Sequence, residues 1–401
     1  MTPDRYRWAV LSLTVVAFLQ THLHRMAFAP LIPTFVADLG LTYAAAGTIQ
    51  TAYFWTYAVS QVPIGVIADR WGARRVMAAC AVTLAVGGLA FAVATSYTAS
   101  ILARMVVGLG AAAVWVPGMQ LITQWFPPSE RGRAAGLMSA GRGLGGSLGL
   151  VLVPVATAAL GWRLAYGLTV VPAVLTLGMI LLVLRRPPPG VVPGRARAAR
   201  GALRRVLAVR AIWPLNVNVV FSYGGWFSFV TFLPAYLVRG LGFTHAQAGV
   251  ITGLVTAGTM VSWPLAGFMS DRLGRRRPVF LFSQLVSVAG LLFFALGAAP
   301  FGLVGIGVAA FITGLLVGGM ILPFVMVVDF VPRELAATAA GVTNGACFAG
   351  AMVLPIVMGR IVDVTGSFAI AFLVAAAVQA AAFVAGLFVA EPPRDAYNPG
   401  S

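Results

Sequence analysis

The sequence predicts an all-α membrane protein with twelve transmembrane helices in two pseudo-symmetric six-helix bundles, and three observations carry that prediction. The first is a duplication. GVIADRWGARR at 65–75 returns as GFMSDRLGRRR at 267–277, so that Gly65, Asp69, Arg70, Gly72, Arg74 and Arg75 match Gly267, Asp271, Arg272, Gly274, Arg276 and Arg277. Each charged copy sits between long apolar runs, the mark of a membrane machine built from repeats. The second is composition. Hydrophobic residues make up 60% of the chain and charged residues 9%, against about 25% charged in a soluble domain. So few charges leave lipid, not water, as the solvent for most of the exterior. The third is a series of windows of roughly 20 apolar residues, the length a helix needs to cross a hydrocarbon core of ~30 Å.

In chain order these windows lie near 10–33, 43–66, 76–95, 99–121, 134–157 and 162–184. After an interruption they continue near 213–238, 246–268, 279–298, 302–326, 336–358 and 367–389. The first carries Arg25. It is too long for a cleavable signal and has no small-residue exit. The second and eighth end in the repeated hairpins, which join them to the third and ninth. The fourth contains Arg104, and the fifth contains GRGLGGSLG with Arg142. Glycine and proline are frequent inside the windows, which suits close packing and kinking in lipid. Cys80 and Cys347 lie in apolar runs and read as small membrane-helix residues, not as a disulfide or a metal site. Between the two sets of six, RRPPPGVVPGRARAARGALRRVLAVR at 185–210 breaks helix and concentrates arginine. The chain therefore divides into 1–184, a cytoplasmic linker at 185–210, and 211–401. The linker reads as a solvated, topology-setting segment; a short amphipathic helix near 200–210 against anionic headgroups is the alternative.

Arginine placement sets the orientation. The chain has no lysine, and its formal net charge is +17. With a cytoplasmic N-terminus, 21 arginines fall in loops and tails on that side, and Arg163, Arg239 and Arg360 on the other. That asymmetry places both termini inside. A basic chain of this kind is not read as a nucleic-acid binder, because its charge is dispersed over short loops. No cofactor, metal site or soluble domain of enzyme size is expected. The expected setting is a bacterial inner membrane, crossed many times by a monomer.

The hairpins have a physical reading. An aspartate at a cytoplasmic helix end can accept hydrogen bonds from neighbouring arginines or from another helix's N-terminus, while glycines allow a tight turn. Such clusters can latch helix ends in one state and release them in another. A second repeated passage, WFPPSERGRAAG at 125–136 and DFVPRELAATAAG at 329–341, places Glu130 and Glu334 at equivalent positions. These two glutamates join the hairpin residues as candidate gating groups.

With these motifs in place, the chain resembles the major facilitator superfamily along essentially its whole length. The hairpins match that family's G-x-x-x-D-R-x-G-x-R-R signature, and LARMVVGLGAA at 102–112 matches its arginine-bearing fourth helix. The resemblance implies twelve spans, a 6+6 division and transport by alternating access. Within the family, RMAFAPLIPTFVADLGLT at 25–42 and TAYFWTYAVSQVPIGVIADRWG at 51–72 are similar to the anion:cation symporter branch, which carries organic acids.

Three arginines fall inside windows: Arg25, Arg104 and Arg142. A guanidinium near the bilayer centre costs about 2.5–3.5 kcal/mol on insertion scales. All ten acidic residues lie in tails, loops or helix ends, so the simplest counter-charge is an anionic small-molecule substrate held bidentately. For Arg25 the family resemblance implies a substrate-binding role. Arg104 either binds substrate or hydrogen-bonds helix-end carbonyls, and Arg142 either lines the cavity or snorkels. His22 lies three residues before Arg25 and shares its helical face. His24 occupies the place where the organic-acid branch often carries aspartate. Gln50, Tyr53 and Tyr57 share one face of the second window. Asn218, Tyr223 and Trp226 in the seventh and Asn344 in the eleventh complete the polar candidates.

The chain departs from the branch at His24 and at Ala111, where a proton-handling glutamate is common. Coupling then falls to a titrating histidine, to exchange against a counter-anion, or to simple facilitation. Sodium is disfavoured by the lack of charged oxygen ligands. The expected function is secondary active transport of a small carboxylate or sugar acid. The alternative is a drug or cation efflux antiporter of the same fold.

Overall fold

The computed structural model describes residues 3–112, 114–184, 201–332 and 335–391. Helix is the only regular secondary structure among them. The order is α1 (Pro3–Met26), α2 (Ile32–Leu39), α3 (Tyr43–Trp71), α4 (Ala73–Ala92), α5 (Tyr97–Ala112), α6 (Trp115–Trp125), α7 (Pro128–Leu168) and α8 (Val171–Val183). It continues with α9 (Ala202–Leu207), α10 (Ile212–Ala235), α11 (His245–Leu273), α12 (Arg277–Leu292), α13 (Gly302–Leu316), α14 (Leu322–Asp329), α15 (Ala336–Thr365) and α16 (Phe368–Leu387).

Several windows that read as single helices are interrupted. The first stops at Met26, turns through a 3-10 segment at Ala29–Leu31 and restarts as α2. Pro30 and Pro33 explain the break: each lacks an amide donor, so the helical ladder loses a hydrogen bond at each. The tenth window breaks the same way at Val317–Ile321, where Gly318 and Gly319 precede Pro323. The fifth and sixth windows run together in one apolar stretch, Arg133–Val183, which bends at Gly161 (φ 76°). A positive φ of that kind is open to glycine at little cost.

Among the described residues, eight stretches are long and apolar enough to cross a membrane, judged by length and composition. Three more helices are long but more polar. These are α1 with His22, His24 and Arg25, α3 with Gln50, Tyr53 and Tyr57, and α10 with Asn216 and Asn218. Of the expected linker, 185–200 lies outside the described residues. Its end forms α9, whose Ala202 and Val206 are buried.

The chain divides into two compact units. The first comprises Met1–Leu41, Thr48–Arg195 and Thr244–Gly253; the second comprises Thr42–Gly47, Ala196–Phe243 and Leu254–Ser401. In the first unit, α7 packs on α1 through Gly141, Gly145 and Gly149, spaced four apart. A Cβ added at Gly141 would lie 2.6 Å from Val15 O, one at Gly149 2.7 Å from Leu23 O, and one at Gly145 would overlap Leu19 O. This small-residue stripe lets two backbones touch, and it explains the glycines of GRGLGGSLG. The second unit repeats the device on α10 and α15, where a Cβ at Gly350 would overlap Val220 O. There, too, the Asp363 carboxylate accepts the Tyr43 and Ala44 amides (2.7 and 2.8 Å) at the start of α3, capping a helix from another part of the chain.

Candidate functional site

The first unit buries two charged side chains among its described residues, Arg25 (3% exposed) and Arg104 (0%). Arg25 sits in the last turn of α1, against the face of α3 that carries Gln50, Tyr53 and Tyr57. Its guanidinium carbon lies 4.8 Å from the Tyr57 ring, 5.4 Å from Tyr53 and 5.6 Å from Phe54. Tyr53 and Tyr57 stack with rings 5.9 Å apart and 14° between planes. Aromatic faces carry negative charge density and are good partners for a desolvated guanidinium. The Tyr53 hydroxyl donates to Thr21 O at 3.4 Å, which anchors the ring.

Arg104, on α5, lies in the same neighbourhood. Its Nη1 donates to His24 O (2.9 Å) and to the Tyr166 hydroxyl (3.2 Å), and its Nη2 donates to Gln50 Oε1 (2.9 Å). Gln50 Nε2 donates onward to Arg25 O at 3.3 Å. The guanidinium carbon also lies 5.2 Å from the Tyr53 ring and 5.4 Å from Phe28.

The two histidines part company. His22 is buried within electrostatic reach of Arg25 and Arg142. Its Nδ1 stands 3.2 Å from both Thr21 Oγ1 and Phe18 O. His24 turns the other way, with Nδ1 3.3 Å from Thr169 Oγ1 and its ring edge-on to Tyr166. Arg142 is half-buried on α7, next to the glycine stripe. The structure therefore gathers Arg25, Arg104, His22, Gln50, Tyr53 and Tyr57 around the end of α1. It adds Tyr166 and Thr169, which the sequence reading passed over because nothing in their local pattern separates them from packing residues.

The remaining polar candidates belong to the second unit. Asn218 is buried in an amide chain: its Nδ2 donates to Ala382 O (2.6 Å), its Oδ1 accepts from Gln284 Nε2 (3.3 Å), and Gln284 Oε1 accepts from Gln379 Nε2. The Tyr223 hydroxyl donates to Met320 O at 3.1 Å, Trp226 packs on Phe229, and Asn344 is exposed. Every buried polar side chain described in this unit is neutral.

The repeated hairpins are described in part. Glu334 lies outside the described residues, as do the side-chain surroundings of Gly65 and Asp69. Arg70 and Arg75 are exposed, Arg74 donates to Leu181 O (3.1 Å), and Gly72 takes φ 81° before α4. In the second copy Asp271 is exposed, and a Cβ at Gly267 would meet nothing within 4 Å. Arg276 pairs with Asp329, and its amide donates to Glu391 Oε1 (2.7 Å). Arg272 lies over Phe268, and Gly274 takes φ 59°. Glu130 pairs with Arg7 at 3.2 Å in the first unit. Asp329 and Glu391 were not singled out from sequence, since an acid at a helix end has no distinguishing local pattern. No cluster of three or more potential metal ligands occurs among the described residues.

Long apolar helices with two guanidinium groups buried among them are the features of a membrane protein, and the proteins it resembles are transporters, not enzymes. The chain belongs to the Major Facilitator Superfamily, whose family model matches residues 14–244 and 215–401. It is 28% identical to a probable sulfoacetate transporter of Cupriavidus necator, covering 96% of this chain and 94% of that one. It is 25% identical to the hexuronate transporter of Bacillus subtilis, over 88% and 87% of the two chains. A solved bacterial homologue of the human lysosomal transporter Spinster shares the fold, with a TM-score of 0.71, 18% identity and coverage of 96% and 95%.

Proposed function

We propose that the protein moves a small organic anion, a carboxylate, sulfonate or sugar acid, across a bacterial inner membrane. The observation that carries this reading is the burial of two guanidinium groups amid aromatic rings, amides and main-chain carbonyls. A site with that net charge pays a large desolvation penalty. An anion entering it supplies charge-assisted hydrogen bonds that water-excluded surroundings strengthen. Arg25 is assigned as the principal ligand, with Tyr53 and Tyr57 orienting its fork and His22 and Arg142 close enough to add to the field. The names of the similar transporters, for sulfoacetate and hexuronate, support an anionic cargo.

The architecture assigned is twelve spans with both termini cytoplasmic. Dividing the 51-residue stretch Arg133–Val183 at its bend and adding the three polar helices α1, α3 and α10 takes the eight apolar stretches to twelve. Two of these helices, α1 and α3, are more polar for the reason they matter here: they carry Arg25, Gln50, Tyr53 and Tyr57. Transport proceeds by alternating exposure of the cationic cluster to either side, and an anion drives the change only if it binds one state more tightly than the other. The repeated hairpins gate the cytoplasmic side.

Thermal-shift screening of purified protein tests this, using a panel that includes sulfoacetate, glucuronate and the lipophilic cation tetraphenylphosphonium. The expected result is stabilisation by one or more acids that disappears in Arg25→Ala. Stabilisation by the cation alone would assign the protein to efflux instead.

A further inference from the structure

The end of α1 is held in an unusual way. The last turn of a helix leaves carbonyls without an amide donor four residues on. Here two consecutive ones take side-chain donors. Arg104 Nη1 donates to His24 O (2.9 Å) and Gln50 Nε2 donates to Arg25 O (3.3 Å). The two donors are themselves joined, because Arg104 Nη2 donates to Gln50 Oε1 at 2.9 Å. The Tyr166 hydroxyl accepts a second bond from the same Nη1 (3.2 Å). One Tyr53 ring lies beneath both cations, 5.2 Å from the Arg104 guanidinium carbon and 5.4 Å from that of Arg25.

We infer that Arg104 and Gln50 are positioning residues that clamp the consecutive His24 and Arg25 carbonyls at the broken end of α1 and so aim the Arg25 guanidinium at the anion. The inference rests on the proposed role of Arg25 as the anion ligand. Its chemistry is specific to arginine. Three acceptors in three directions match a planar fork, and a lysine ammonium, though it keeps the charge, cannot reproduce that geometry. Pro30 has no amide to offer Met26 O, so the ladder of α1 stops there, and the two side-chain donors reach the two carbonyls immediately before that stop. Nε is the one Arg104 nitrogen with no acceptor among the described residues, and it is the atom a substrate would use if Arg104 were itself a ligand.

The test compares Arg104→Lys and Gln50→Ala with Arg25→Ala in the full-length protein, using two readouts. The first needs no ligand: amide hydrogen exchange in peptides covering residues 20–32. The clamp predicts exchange about tenfold faster or more in both variants, with other helices unchanged and the melting midpoint close to that of the parent. The second is affinity for sulfoacetate, a dianion, and glucuronate, a monoanion. Both clamp variants should weaken both acids by a similar factor, about tenfold for a lost charged hydrogen bond, so that the dianion-to-monoanion ratio is kept. Arg25→Ala should abolish binding.

Unchanged exchange at 20–32 in both variants would overturn the clamp. So would a selective loss of dianion affinity in Arg104→Lys with Gln50→Ala normal, which would make Arg104 a ligand. If Arg104→Lys does not fold, Gln50→Ala carries the same two readouts. If the parent binds neither acid, the anion reading fails, while the exchange rates still decide the clamp.

Discussion

In the first unit, α1 presents Arg25 to the faces of Tyr53 and Tyr57. In the second, the 202-residue register of the hairpins, Gly65 to Gly267, puts α10 in the place of α1 and Phe227 in the place of Arg25. Phe227 is buried, like Arg25, but it packs on Tyr223. Where the first unit satisfies its buried groups with a guanidinium, an amide and carbonyls, the second uses the neutral chain Asn218–Gln284–Gln379. Both units pack their helices through glycines that bring backbones into contact. Packing rules are therefore shared across the repeat, while charge is not. Close glycine packing recurs in both units, while buried guanidinium groups occur in the first alone among the described residues.

The largest effect should come from what the units share. Gly145→Val and Gly350→Val would each drive a side chain into a carbonyl of the facing helix. Each should cost about 3 kcal/mol or more, at or beyond the upper end of overpacking penalties, visible as loss of the monodisperse peak in fluorescence-detected size exclusion. If either variant behaves like the parent, the shared packing rule breaks. Next comes the pair at equivalent positions. Arg25→Ala should cost about 2–5 kcal/mol of anion affinity, as for a buried charged partner, with little change in melting midpoint. Phe227→Ala should do the reverse, losing about 3–5 kcal/mol of stability and leaving affinity nearly intact. Gln284→Ala would leave the Asn218 and Gln379 amides short of partners and lower stability by about 1–3 kcal/mol, again without affecting anion binding.

The smallest effect belongs to the exposed pair of Asp38 and Arg163 (2.6 Å). The hydrogen bond from Arg163, and then that from Trp162, holds the Asp38 carboxyl below the usual carboxylate range. Its contribution is therefore present above an unfolded value of about 3.9 and lost as pH falls through the lower folded value. For an exposed pair it amounts to less than about 1 kcal/mol. Asp38→Asn should melt slightly below the parent at pH 6, with the gap closing as pH drops below about 4.

The fold class was legible because duplication and apolar length are properties of long stretches. The shared face of His22 and Arg25 was legible from their three-residue spacing. The break after Met26 was not, because prolines inside an apolar window read equally well as tolerated kinks. The glycine stripe at 141, 145 and 149 was present in the motif, but its four-residue period stood beside Arg142, which drew the functional reading. The ties of Arg104 to His24 O and Tyr166 join residues 80 and 62 positions apart, a distance no local pattern spans. The same holds for Asp363 capping α3 from 320 positions away.

Isothermal titration calorimetry of sulfoacetate and glucuronate into the purified parent, Arg25→Ala and Phe227→Ala tests most directly the claim that anion binding resides in the first unit's cationic core. At least one acid should bind the parent and Phe227→Ala alike and show no heat of binding with Arg25→Ala. Equal affinity for Arg25→Ala and the parent, or loss only in Phe227→Ala with its fold intact, would contradict that claim.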